Sequence, residues 1–266
     1  MGISSAAEWF LPVELMAIRI ESGRSQRWIA NAIGKHTNTV GYWERRERLP
    51  DAANVVAICR KLGVDAERTF FLEHVAEQLN TSGIVSDLHQ RNIFIVERAE
   101  QYYGVLIKVL TRYIPGLLQI EDYHMGLLPD PMGDPTPKIA HWKRKERRIA
   151  AWEARTNARS TFIIDASAIA DLDRLPSRSR DKQIQRLKEI DARPNCEVQV
   201  MQGPPLTPHG FELFLPGGAP NAGPSFVYVE SLDQSRHIED AESLALYHRV
   251  VDDLTPRVTP IGVFLE

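Results

Sequence analysis

The stretch SQRWIANAIGKHTNTVGYW, Ser25 to Trp43, constrains this chain more than any other. Ile29 and Ala30 sit together, Ile33 follows one turn later, and Val40 and Trp43 resume the apolar spacing beyond Gly34. That rhythm describes two short helices meeting at a sharp turn, with Ile29, Ile33, Val40 and Trp43 facing a core. Ala30 is small enough to let the helix backbones approach, and Gly34 can take a positive φ at the corner without a Cβ penalty. An ordinary helical hairpin would share the apolar spacing, without requiring Ala30 and Gly34 at these offsets.

The pattern is that of a helix-turn-helix, whose second helix lies in the major groove of DNA. Ser25 is a good N-cap, and Gln26 and Arg27 fall in the first turn, where backbone N–H groups and a side-chain amide can hold a phosphate. His36 or Thr37 caps the second helix. Thr37, Asn38 and Thr39 form its exposed first turn, with Tyr42 one turn beyond Asn38. Arg45, Arg46 and Arg48 follow in a loop ending at Pro50, placed to flank a groove, although loop arginines are usually just solvated. These ten residues are the candidate DNA contacts. A helix from Pro12 to about Glu21 precedes them, with residues 1–11 read as a frayed lead-in where Trp9 and Phe10 are candidate docking residues. Ala52–Leu62, capped by Asp51 and ended by Gly63, follows.

Charge agrees with this placement. Between Pro12 and Val64 there are nine Lys/Arg against five Asp/Glu, a balance of +4, while the whole chain stands at -3. The remainder therefore carries -7 by subtraction, and a basic head on an acidic body suits contact with a polyanion at one end. Leu15–Val64 resembles the Cro/XRE family of DNA-binding domains through Ser25-Gln26, Ile29-Ala30, Ile33-Gly34, Thr39-Val40, Trp43-Glu44, Pro50 and Leu62-Gly63-Val64. Two positions depart from the family: Arg24 replaces an apolar residue before the Ser-Gln pair, and Arg46 replaces a glycine after the Glu.

A further helix over Ala66–Asn80 is expected to end at the polar segment Asn80–Gly83, which marks a domain boundary. The division is then 1–80, an all-α DNA-binding head, and 81–266, an α/β sensor or interaction domain with a mixed sheet flanked by helices, α+β overall. Helix is expected from about Asp87 to Tyr102 and a strand over Val105–Leu110. Pro129–Pro137 reads as a surface loop, and His141–Arg155 as a charged helix with Trp142, Ile149 and Trp152 as its apolar stripe. The basic run Lys143–Arg148 in that helix is more often a solvated face than a DNA contact. A strand at Thr161–Asp165, helices over Ala166–Leu172 and Asp181–Ala192, and a strand at Cys196–Met201 form a right-handed parallel unit. Phe211–Leu215 and Phe226–Glu230 are two more strands, Ala241–Leu254 is the closing helix, and the tail VTPIGVFLE is a candidate to dock.

The segments YIPGLLQIEDY (Tyr113–Tyr123), Phe162–Asp165, Arg193–Val200 and Phe226–Glu230 are similar to a C-terminal domain of uncharacterised biochemistry that follows Cro/XRE heads in actinobacterial, WhiJ-like regulators. The aromatic pair usual before the Glu97 helix is absent. The resemblance implies a transcription regulator, often antagonised by a small partner protein encoded alongside.

No phosphate-cradling Gly loop, G-x-S-x-G, H-E-x-x-H or C-x-x-C is present. Asp165 and Ser167 could meet His209 or His237 in the fold, but strand-end polar residues are usually caps. No catalytic residue, metal ligand or cofactor is expected. Cys59 and Cys196 form no disulfide framework. No apolar run reaches the ~18 residues that span a bilayer, and the N-terminus lacks a signal-peptide pattern, so the cytoplasm is the expected compartment. Three readings result: a homodimeric regulator that binds double-stranded DNA and acts as a repressor; an antitoxin-like protein that autoregulates its operon; and an enzyme with a DNA-binding head. In the first, the excised head is expected to fold yet bind DNA weakly.

Overall fold

A computed structural model describes residues 5–79, 83–86, 93–128, 135–231 and 233–266. The chain runs α1 (Ala6–Glu21), α2 (Gln26–Ala32), α3 (Thr37–Glu44), α4 (Ala52–Leu62), α5 (Ala66–Glu77), β1 (Ile84–Ser86) and α6 (Phe94–Tyr102). It continues through β2 (Val105–Leu110), α7 (Glu121–Leu127), α8 (Pro135–Glu153), β3 (Arg159–Asp165), α9 (Ala166–Ala170), α10 (Ser177–Asp191) and β4 (Cys196–Met201). It closes with β5 (Phe211–Leu215), β6 (Phe226–Glu230), β7 (Ser235–Ile238), α11 (Ala241–Leu254), β8 (Val258–Pro260) and α12 (Ile261–Phe264). The architecture is α+β, with a helical head first and a mixed sheet with helices after it.

Two compact units emerge, and both are discontinuous: Met1–Tyr103 joins Gly218–Leu244, while Gly104–Gly217 joins Ala245–Glu266. Residues 80–82 of the boundary segment expected at Asn80–Gly83 lie outside the described residues, as do residues 87–92 of the expected Asp87 helix and residues 129–134 of the expected loop.

In the first unit, α1 starts six residues before Pro12, so the expected lead-in is helical from Ala6 onward. Ser5 caps it by accepting the Glu8 N–H at 3.1 Å. Trp9 and Phe10 are fully buried, and the Trp9 indole donates to the Asn221 carbonyl at 2.8 Å. Pro12 is therefore inside the helix rather than in its first turn. Glu14 is buried on α1 and paired with Arg68 of α5, at 2.5 Å, and with Arg98 of α6. Strands β1, β7 and β6 form an antiparallel trio, with Ile84 opposite His237 and Tyr228 opposite His237 on the other side.

In the second unit the strand order is β5-β2-β3-β4-β8. The central strands β2, β3 and β4 are parallel, and β5 and β8 pair antiparallel at the two sides. Phe162, Ile164, Val198 and Val200 are wholly buried, as expected for strands covered on both faces. β3 and β4, joined through α9 and α10, pair in parallel as expected from sequence. The tail docks, β8 pairing with β4 through Val200 opposite Thr259. Trp142 and Trp152 of α8 are buried and Ile149 half-buried.

Candidate nucleic-acid interface

The corner between α2 and α3 is built by backbone geometry that glycine permits. Gly34 has φ +68°, and Lys35 N–H returns to the Ala30 carbonyl at 2.8 Å, closing α2 with a Schellman turn. Ser25 caps the start of α2 by accepting from Trp28 N–H, and the His36 ring nitrogen Nδ1 accepts from Asn38 N–H at 3.3 Å to cap α3. Ile29, Ala30, Val40 and Trp43 are buried against α1 and α4, while Ile33, expected in the core, is half-buried.

Glu44 locks the two helices to α1. Its carboxylate accepts from Arg19 Nε at 2.5 Å, from Arg19 Nη2 at 2.9 Å and from the Gln26 amide at 2.7 Å. Gln26 is therefore held from behind, one of its amide hydrogens engaged by Glu44.

The ten candidate contacts fall into distinct environments. Arg27, His36, Asn38, Arg45 and Arg48 are exposed, and Gln26, Thr37, Thr39, Tyr42 and Arg46 are half-buried. The guanidinium groups of Arg45 and Arg48 stand over the Tyr42 ring, 5.2 and 5.3 Å from its centroid, so the three form one cation–π cluster at the end of α3. Arg45 also pairs with Glu47 at 2.6 Å, which holds the Glu47 carboxyl below its usual range.

Arg46 differs from its neighbours. It has φ +62°, and Glu47 N–H returns to the Tyr42 carbonyl at 2.9 Å, so Arg46 occupies the left-handed position that closes α3. Burial lowers its pKa, and Tyr102 and Tyr103 work in the opposite direction. The loop thus keeps the path a glycine would give it, with a side chain half-withdrawn from solvent. Two cations near the motif were not among the ten candidate contacts. Lys35 is exposed in the turn itself, and Arg24 stacks on Trp28 at 4.6 Å just before α2. Their signal was position, immediately before each helix cap.

Asp165 proves to be a helix cap, accepting from Ser167 N–H at 2.8 Å. His237 is buried in β7, and His209 lies in the segment preceding β5. Among the described residues no helix is long and apolar enough to cross a membrane.

Comparison with known families follows this geometry. Residues 15–68 match the family model described as Helix-turn-helix, which supports a DNA-binding transcription regulator. Residues 98–257, or 160 of the 266, match the one described as Domain of unknown function (DUF5753). No curated protein matches the chain.

Proposed function

This chain belongs to the family described as Domain of unknown function (DUF5753), and we propose that it is a homodimeric repressor that binds double-stranded DNA through α2 and α3. In this reading Asn38, Thr37 and Tyr42 read base edges, while Arg27, Arg45 and Arg48 meet phosphates. The observation that carries it is the clustering of exposed Asn38 with Tyr42, Arg45 and Arg48 around the one helix that a helix-turn-helix presents to DNA. A single head covers only a half-site, which favours a twofold dimer on an inverted repeat. The regulator works in the cytoplasm, and its remaining domain responds to a ligand or to a small partner protein encoded nearby. The resemblance to actinobacterial, WhiJ-like regulators supports that role, and catalysis has no part in it.

Fluorescence anisotropy of the full chain on its own promoter DNA and on random DNA tests the assignment. Asn38→Ala is expected to lose ~1–3 kcal/mol on the preferred site and little on random DNA. Arg48→Ala should weaken both and lower the salt slope by roughly 1. Equal losses for Asn38→Ala on both DNAs would remove it as a base reader.

A further inference from the structure

The second unit gathers several otherwise unused side chains around one cleft. The carboxyl end of β2 leads into Arg112 and Tyr113, and that of β3 leads through α9 into a 3₁₀ turn, Asp171–Arg174. Helix α7, in the connection between those strands, supplies Tyr123 and Leu127. Together Arg112, Tyr113, Tyr123, Leu127, Asp171 and Arg174 line a cleft of about 310 Å³. β2 and β3 are parallel, and crevices beyond the carboxyl ends of parallel strands are where α/β sheets bind ligands.

Three of these groups have hydrogen-bonding capacity left over. Arg112 has no hydrogen-bond or ion-pair partner among the described residues. Arg174 approaches Asp171 only to 3.9 Å, in an exposed pair of small worth. Tyr123 is 1% exposed, and its oxygen accepts the Ile114 N–H at 3.0 Å. The hydroxyl's own proton has no acceptor among the described residues.

We propose that this cleft binds a small organic anion, a carboxylate or a phosphate monoester on an apolar body, with Arg112 and Arg174 holding the anionic group and the Tyr123 hydroxyl donating to it. Guanidinium groups present paired donors that match carboxylate and phosphate oxygens. Burial pushes the Tyr123 phenol up to about 12, and the Asp171 carboxylate adds to the rise, so the hydroxyl keeps its proton. Leu127 and Tyr113 offer apolar surface to the ligand's body. Asp171 disfavours a highly charged ligand, and the volume is at the lower end of the ~300–1,000 Å³ usual for ligand pockets. The occupant is therefore metabolite-sized with one anionic group.

The occupancy test uses no DNA, so failure here leaves the DNA-binding reading standing, and the reverse also holds. The test is thermal unfolding of the full chain, titrated with benzoate and with phenyl phosphate at constant ionic strength, to about 10 mM, where even millimolar affinity registers. Benzamide serves as the uncharged control. A saturable rise in Tm is expected for at least one anion, and which one responds distinguishes carboxylate from phosphate recognition. Arg112→Ala and Arg174→Ala should each weaken the effect about tenfold, the ~1.4 kcal/mol of a lost charged contact, while Arg147→Ala, an exposed arginine of α8, leaves it intact. No saturable rise with either anion, an equal rise with benzamide, or equal weakening by Arg147→Ala would overturn the proposal.

Discussion

In the first unit the carboxylate of Glu14, 1% exposed, is met by Arg68 of α5 and Arg98 of α6. In the second, the comparable joint is Gln183 of α10, fully buried, whose amide accepts from Ile120 N–H at 2.9 Å and donates to the Leu118 carbonyl at 2.8 Å. Both residues tie a helix to chain more than 50 residues away. They differ in kind. The Glu14 joint carries charge, burial pulling the Arg98 pKa down while Glu14 pulls it up and prevails. The second unit's buried charge, Lys108, meets Glu212 directly opposite on the neighbouring strand, at 2.5 Å. The Gln183 link, by contrast, is neutral. A buried ion cluster gains little when intact but is costly to break, whereas a neutral amide link fails more gently.

Two of four variants test that contrast directly. Glu14→Leu removes the buried carboxylate shared by two arginines, leaving them only the exposed Glu21 at 3.7 and 3.4 Å, and should cost about 3–5 kcal/mol in urea unfolding of the full chain. Gln183→Leu leaves one N–H and one carbonyl unpaired, and should cost about 2 kcal/mol by the same measurement. Equal losses would erase the distinction between charged and neutral joints.

The third variant sharpens the description of the first unit. Burial holds the His237 pKa down at about 3 and raises that of Glu239 to about 7. Between pH 4.5 and 6.5 the unfolded chain binds a proton at His237 that the folded chain refuses, so this group makes stability rise with pH. Glu239 binds its proton more tightly when folded, so its contribution, complete below about 4.5, is lost as pH climbs through 7. The two slopes oppose each other in the shared window. Glu239→Gln removes one of them, and its stability should climb with pH by up to ~1 kcal/mol per unit from pH 4.5 to 6.5, against a flatter wild type. Parallel curves for the two proteins would refute the opposition. The smallest effect is a gain. Arg46→Gly relieves a left-handed backbone and should add ~0.5–1 kcal/mol, read as a rise in Tm, after the extra flexibility of glycine in the unfolded chain is deducted.

The strands Cys196–Met201, Phe211–Leu215 and Phe226–Glu230 were legible to the residue because their burial follows their apolar content. The strands β1, β7 and β8 were not, since IVS, SRHI and VTP are too short to show a period, and β7 buries Ser235 and His237 rather than apolar residues. The early start of α1 did have a signal: Ser5 and Glu8 stand at capping-box spacing, just before Trp9 and Phe10. In the DNA-facing corner, residue types and spacing carried the caps and the turn. The bond from Gln26 to Glu44 and the partial burial of Arg46 depend on partners beyond the motif. The cleft lined by Arg112, Tyr123 and Arg174 was invisible, because three separate segments supply it.

The split course of the first unit has a consequence for synthesis on the ribosome. Ala6, at the start of α1, donates its N–H to Glu239 at 2.8 Å, a closure over 233 positions. At 5–20 residues per second, the 141 residues between Tyr103 and Leu244 take roughly 7 to 28 seconds to emerge. Throughout that interval α1 to α6 exist without the strands and the cap that complete their packing, and the closing step is entropically slow because the loop is long. The α2–α3 corner precedes these strands in the chain, whereas the packing around the start of α1 is completed only after Leu244 has emerged.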